Sequence, residues 1–187
     1  HGSSAASDVY KRQVLIIAGG GGGGGSSRNQ EGNWGGAGGG VTGQDGSSPY
    51  EYKIQYRGRA GSAHEGGRNA QDGSSYSARA LEGGTPNSNC YGGAGGGGYY
   101  GGGAGGYSES NTMGGGGGGS GYTNPTYCTN VRNHRGEARM PAGAGEAGYP
   151  GGGISVGGDS NAAAGGHGYV RITDAAGTVT ALSLIHI

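Results

Sequence analysis

The sequence predicts a mainly β fold with irregular structure, in which runs of glycine are bundled as extended helices. Three observations predict it. Five glycine runs, at 19–25, 35–40, 92–98, 101–106 and 114–119, hold 29 of the 54 glycines, and their only interruptions are Ala37, Ala94 and Ala104. Short apolar or alternating segments flank the runs. No window carries helical periodicity with caps.

The elements follow in chain order. Val14-Leu15-Ile16-Ile17 is four apolar residues with β-branched character, read as a short buried strand that launches the first run. Tyr50, Tyr52, Ile54 and Tyr56 alternate with Glu51, Lys53 and Gln55, the period of a strand with one tyrosine-rich face. Ile154 and Val156 suggest a third strand. Tyr169-Val170-Arg171-Ile172 suggests a fourth, with Gly177 marking a turn before Val179. Gln44-Asp45-Gly46-Ser47-Ser48 recurs as Gln71-Asp72-Gly73-Ser74-Ser75; Asp-Gly-Ser is turn chemistry, so both copies are read as surface turns. They lack the alternating oxygen ligands of a calcium loop.

Six or seven extended residues span about 20 Å at the polyproline-II rise of about 3.1 Å per residue. That helix makes no internal hydrogen bonds, so its N–H and C=O groups point outward and must be solvated or paired with neighbours. Chains without Cβ atoms can approach closely enough to pair. Alanine is the smallest interruption able to sit at the edge of such a bundle. Collagen is excluded, because the runs are not Gly-X-Y and proline is rare. Tyr91, Tyr99, Tyr100, Tyr107 and Tyr122 flank the runs, where a ring can cover a glycine face while its hydroxyl stays wet. Tyr99, Tyr100, Tyr107 and Tyr122 are the candidate binding surface, tyrosine being enriched in such patches; the plainer role is to shield the bundle.

Both termini have a codon-level explanation. Asp8-Val9-Tyr10-Lys11-Arg12-Gln13 can be encoded by GAT GTG TAT AAG AGA CAG, whose reverse complement encodes Leu182-Ser183-Leu184-Ile185-His186-Ile187. That 18-nucleotide sequence resembles the mosaic end of a transposase-based sequencing adapter. Residues 1–13 and 182–187 are therefore expected to be adapter-derived and set aside from fold reasoning, leaving a glycine-rich domain fragment at 14–181. Any signal peptide, membrane span or linked domain is expected to lie outside it.

Within 14–181, ten basic residues face eleven acidic ones, so no basic field exists to collect phosphates. Phenylalanine is absent and Trp34 is the lone tryptophan. Apolar content of 30% is thin for a side-chain core, and glycine carries the largest backbone entropy cost on folding. The chain is thus either largely disordered or held by backbone contacts. Cys90 and Cys128 are the only cysteines. A disulfide between them would stabilise by roughly 3–4 kcal/mol in the chain-entropy model; two unrelated thiols, or partners beyond the cut ends, are the alternative.

Catalytic signatures are missing. No Gly-x-x-x-x-Gly-Lys-Ser/Thr occurs, and Gly-x-Gly-x-x-Gly matches inside polyglycine lack the following helix. His64, His134 and His167 stand apart from cysteine or carboxylate at ligand spacing and are read as surface histidines, so neither a metal nor a cofactor is expected. Arg-Gly-Gly repeats are absent, which argues against RNA.

Val14-Leu15-Ile16-Ile17-Ala18 running into 19–25 resembles the strand–alanine–polyglycine opening of the glycine-rich domain of the anaplastic lymphoma kinase and leukocyte tyrosine kinase receptors. The run at 95–98 with Tyr99-Tyr100 and 101–106 resembles that domain's central block, and 114–119 with Ser120-Gly121-Tyr122 is similar to its later segment. Gly166-His167-Gly168-Tyr169-Val170-Arg171-Ile172 resembles its closing strand. Similar domains occur in microbial surface proteins and phage tail adhesins. The resemblance implies a β-sheet framework carrying packed polyglycine-II helices, in an extracellular or cell-surface protein that binds a protein or surface ligand by receptor-type recognition or adhesion. It transfers no ligand, and residues 132–149 depart from its pattern, being more charged and irregular. The fragment itself carries no kinase signature and is read as non-enzymatic. The alternative is a structural glycine–tyrosine matrix or wall component, partly disordered.

Overall fold

The computed structural model describes residues 14–26, 32–49, 51–70, 77–87, 91–108, 112–137, 140–145, 149, 151–160, 162–173, 176–177 and 179–183. Regular structure among them is sparse. One 3-10 helix spans Glu51–Tyr56, and the strands are β1 (Ile16–Ile17), β2 (Tyr107–Ser108), β3 (Thr112–Met113), β4 (Tyr122–Thr123), β5 (Tyr169–Thr173) and β6 (Val179–Ser183). They form three separate antiparallel pairs, β1–β4, β2–β3 and β5–β6. The fold is therefore mainly non-helical and irregular.

What holds the irregular part together is a lateral hydrogen-bond network with a three-residue period. In 20–25, Gly20 and Gly23 donate to Gly97 and Ala94, Gly21 and Gly24 to Gly166 and Ala163, and Gly22 and Gly25 to Gly36 and Asn33. Successive N–H groups thus address three different neighbours in rotation. A β-strand, whose period is two, could address only two.

The 114–120 segment lies at the centre. Its N–H groups donate in rotation to 100–106 (from 114, 117 and 120), to Ser47 and Gln44 (from 115 and 118) and to Gly23 and Gly20 (from 116 and 119). Its carbonyls accept from Gly93, Gly96 and Tyr99, from Gly58 and Gly61, and from Gly36 and Gly39. Six neighbours surround it, and all fourteen backbone groups of the seven residues are bonded at 2.7–3.0 Å. Each such bond contributes about 0.5–1.5 kcal/mol net, and an unmade one would cost more.

Close approach explains the glycine. A Cβ on Gly115, Gly116, Gly117, Gly118 or Gly119 would overlap the carbonyl oxygen of Trp34, Ala94, Arg59, Ala37 or Gly97 respectively. Side-chain burial contributes little by comparison. The buried hydrophobic residues among those described are Ala37, Ala70, Ala104 and Met113.

Several sequence expectations need correction. The Tyr50–Tyr56 alternation does not form a strand: Glu51–Tyr56 is a 3-10 helix, and Tyr50 lies outside the described residues. Ile54 is 45% exposed, so the alternation marks no buried sheet face. Ile154 and Val156 form no strand either, because Ser155 between them has φ 54° and turns the chain. That left-handed Ser155 is held by its Oγ donating to Gly19 O (2.8 Å), its N–H to His167 O (2.8 Å), and its carbonyl accepting from Gly38 N (2.7 Å).

Residues 44–48 are not a surface turn but one of the lateral segments around 114–120. Gly43 and Gly46 donate to Gly61 and Gly58, while Gln44 and Ser47 accept from the centre. Asp45 braces this layer, with Oδ1 accepting from Ala60 N (2.9 Å) and Oδ2 from Arg59 (2.6 Å). The echo at Gln71-Asp72-Gly73-Ser74-Ser75 lies outside the described residues. Ala94 is exposed at an edge as expected, but Ala37 and Ala104 are fully buried. β1 is shorter than expected, with Val14 and Leu15 exposed. β5 and β6 form the expected hairpin, with Gly177 at φ 79° beside the turn; Leu182 and Ser183, from the segment assigned to adapter, pair with Val170 and Tyr169.

Candidate functional site

The register of the network sorts the molecule into two ends. Gly20, Gly39, Gly97, Gly119 and Tyr100 belong to one; Gly25, Asn33, Gly93, Gly106 and Gly114 belong to the other. The candidate tyrosines divide between them. Tyr99, Tyr100 and Tyr122 meet at the first end. The Tyr99 and Tyr122 rings stack with centroids 4.4 Å apart, and Tyr100 lies edge-on to Tyr99 at 5.0 Å. Tyr107 is not part of this cluster: it pairs with Met113 in β2–β3 at the opposite end. A six-residue run separates Tyr100 from Tyr107, which at about 3.1 Å per residue is about 20 Å.

Local chemistry fixes the tyrosine cluster. The Tyr99 N–H donates to Ser120 O at 2.8 Å, and Tyr100 N–H to Ser120 Oγ at 3.1 Å. Tyr122 is held by the pairing of β4 with β1, opposite Ile17. All three rings are half-buried, so they shield the bundle end and present a surface together. A double-mutant cycle of Tyr99→Ala and Tyr122→Ala, read by urea unfolding, is expected to give a coupling of about 0.5–1.5 kcal/mol from ring stacking. Zero coupling would mean the rings do not meet.

Beside it, at the same end, opens a cleft of about 450 Å³. Its floor is Ala18, Gly19, Gly39 and Ser155. One wall is the alternating face of β5, Tyr169, Arg171 and Thr173, which side-chain alternation directs to one side. The other wall comes from 130–149, including Asn130, Arg132, His134 and Tyr149. That segment is the one whose composition departs from the glycine pattern. It is hooked onto the bundle by two bonds, Gly40 N–H to His134 O and Gly136 N–H to Gly38 O, both 3.0 Å.

Two features mark the cleft. Two arginines and a histidine line it, and no described carboxylate does. Asn130 at φ 54° and Ser155 at φ 54° are two of its linings, a left-handed backbone that non-glycine residues rarely adopt and that clusters at functional sites. Tyr149 is fixed by its hydroxyl donating to Gly152 O at 2.5 Å.

Reading the sequence alone missed Arg132 and Arg171 because 39 positions separate them. The usable signal was the charge and irregularity of 132–149 combined with the alternation of Tyr169 and Arg171. His64, His134 and His167 are exposed as expected, and His134 additionally lines the cleft. Cys128 is a free thiol with Sγ 4.0 Å from Leu15 O, and Cys90 lies outside the described residues. Among the described residues, no three His, Cys, Asp or Glu side chains converge on a metal-sized site, and no helix is long and apolar enough to cross a membrane. No family model, curated protein or solved structure matches the chain.

Proposed function

We propose that the chain is a non-enzymatic recognition module of an extracellular or cell-surface protein, binding a protein or surface ligand at one end of a bundle of polyglycine-II helices. The single observation that carries this reading is the convergence, at that end, of the stacked Tyr99–Tyr122 pair and the arginine-lined cleft. The three-residue rotation of hydrogen bonds supports the polyglycine-II assignment, since that helix has three residues per turn and no internal bonds. The strand pairs act as clips: β1–β4 closes the recognition end, β2–β3 the opposite one. A rigid backbone scaffold that leaves side chains free for recognition suits a binding module. The resemblance to the receptor-type glycine-rich domain points the same way.

The second reading is a glycine–tyrosine matrix component. Tyr91 and Tyr127, 68% and 61% exposed, favour it because accessible phenols can be coupled oxidatively.

Binding to a panel of purified ectodomains and glycans separates the two. The recognition reading expects saturable binding that Tyr99→Ala or Tyr122→Ala weakens about tenfold while Tyr91→Ala, at the opposite end, leaves it unchanged. Absence of saturable binding, with peroxidase-driven polymerisation through Tyr91 and Tyr127, would support the matrix reading instead.

A further inference from the structure

We propose that the flank of the bundle between 94–97 and 163–168 binds a glycine-rich segment of another polypeptide, laid in as one more polyglycine-II helix. The inference goes beyond the recognition reading and rests only on its polyglycine-II part. Around 114–120 the six neighbours sit alternately on rows of N–H groups and rows of carbonyls, and each neighbour is hydrogen-bonded to the next. The 20–25 segment repeats that ring with five neighbours. Its N–H groups reach 94–97, 163–166 and 33–36; the Gly20 and Gly23 carbonyls accept from Gly119 and Gly116; the Gly19 and Gly22 carbonyls accept from Ser155 Oγ and Gly158. The remaining place, between 94–97 and 163–166, is open among the described residues. The carbonyls that belong to it, Gly21 and Gly24, accept no hydrogen bond from a described residue.

The walls of this slot carry the complementary groups. The N–H groups of Ala94 and Gly97 on one side, and of Gly165 and Gly168 on the other, donate to no described acceptor, although Gly93 and Gly96 beside them are bonded to the centre. A row of acceptors thus lies between two rows of donors, each with the three-residue spacing, about 9 Å, of a polyglycine-II helix. An incoming helix whose N–H groups meet Gly21 and Gly24 turns a row of carbonyls to each wall. It is the counterpart of adding a strand to an open sheet edge. The slot also selects glycine. Along 115–119 a Cβ would point at the neighbour that bonds the next residue's carbonyl, so two of every three residues of the incoming helix would drive a side chain into the bundle and the third faces water. By the same rule Gly20 and Gly23 face the slot. Cβ atoms there meet nothing closer than 3.5 and 3.3 Å, whereas on Gly19, Gly21, Gly22 and Gly24 they would overlap neighbouring carbonyls. No described neighbour forbids a side chain at Gly20; an occupant of the slot does.

NMR titration and amide exchange on the isotope-labelled whole chain test the proposal, with a lysine-flanked hexaglycine peptide as probe and its hexaalanine counterpart as control. In the free chain the Ala94, Gly97 and Gly165 amides are expected to exchange openly while Gly93 and Gly96 are protected. Hexaglycine is expected to bind saturably, with a Kd of about 1 mM or tighter, and to protect the open amides; hexaalanine is expected to bind about tenfold more weakly or not at all. Gly20→Ala is expected to weaken hexaglycine about tenfold or more with the amides of 114–120 unchanged, because its methyl enters the slot. Ala94→Pro, which removes one slot donor and no described bond, is expected to weaken it as well. Gly153→Ala, whose Cβ meets nothing within 4 Å, is expected to leave binding unchanged. Equal binding of hexaalanine, or unchanged affinity in both Gly20→Ala and Ala94→Pro, would overturn the slot. Self-association of the parent that Gly20→Ala abolishes would make the occupant a second copy and overturn the separate partner. Failure of hexaglycine to bind while 114–120 stays protected removes the slot and leaves the bundle; unprotected amides at 114–120 remove both.

Discussion

Replacing Gly117 with alanine is expected to destabilise the protein by about 3 kcal/mol or more, whereas the same change at Gly97 costs nothing. Both glycines sit inside runs that look equivalent as sequence. A Cβ on Gly117 would overlap the carbonyl oxygen of Arg59 and lie 2.8 Å from the Ala60 nitrogen, both backbone atoms of a bonded neighbour. Relief requires moving the 58–61 segment away, which breaks the bonds that Gly58 and Gly61 donate to the centre. Overpacking of this kind costs roughly 1–3 kcal/mol and more where nothing can yield; with several bonds lost as well, about 3 kcal/mol or more is expected. That is a large share of the roughly 5–15 kcal/mol available to a domain. A Cβ on Gly97 meets nothing closer than Leu81 O at 3.9 Å. Its backbone has no positive φ, so alanine there reduces the freedom of the unfolded chain and stabilises by about 0.4–1 kcal/mol. Urea unfolding of the two variants beside the parent checks both. Equal behaviour would mean the runs are not packed as described.

Ser120→Ala is expected to cost about 2–3 kcal/mol although it removes one oxygen and creates no clash. Ser120 ends the central run and is fully buried. Its Oγ donates to Ser62 O at 2.7 Å and accepts from Tyr100 N at 3.1 Å. Removing it strands a carbonyl and an amide at a site that water does not reach, at about 1–3 kcal/mol for an unsatisfied buried group. Ser62→Ala is the control. Its hydroxyl serves an exposed turn, accepting from His64 N and Glu65 N, and the loss is expected to stay within about 1 kcal/mol. Chemical denaturation gives both numbers, and a Ser120→Ala cost no larger than that of Ser62→Ala would remove the buried cap from the account.

These two residues also show how far the sequence could be read. The central run was legible because a segment enclosed by six neighbours must be glycine on every face, a demand that the unbroken run at 114–119 meets. The hairpin of β5 and β6 was legible because alternation and a turn glycine suffice for it. Outer segments were not legible. A segment at the periphery needs glycine only on the face turned inward, once every three residues. Gly43 and Gly46, or Gly58 and Gly61, then look like turn glycines among polar residues. Asp45 was misread for that reason: its Asp-Gly context resembles a turn, while its carboxylate braces two lateral segments. The spacing Gly-x-x-Gly, weighed with neighbouring polyglycine, would have identified them.

For the site, the three tyrosines flanking the runs could be placed from their positions next to glycine. Their division between two ends could not, because it depends on which way each run points. Tyr107 follows a run that begins beside Tyr100 and crosses the bundle, so adjacency in the chain becomes separation in space. Arg132 and Arg171 line one cleft once 130–136 hooks onto Gly38 and Gly40 through backbone hydrogen bonds, which are silent in the side-chain pattern.

The central claim is the three-way rotation of hydrogen bonds about 114–120, and scalar couplings across those bonds measure it most directly in an isotope-labelled sample. The structure predicts correlations from Gly116 N to the Gly23 carbonyl carbon, from Gly117 N to Gly103 and from Gly118 N to Gln44, three consecutive residues with three different partners. Absence of these correlations alongside unprotected glycine amides, or alternate residues coupling to one and the same neighbour as in a sheet, would contradict it.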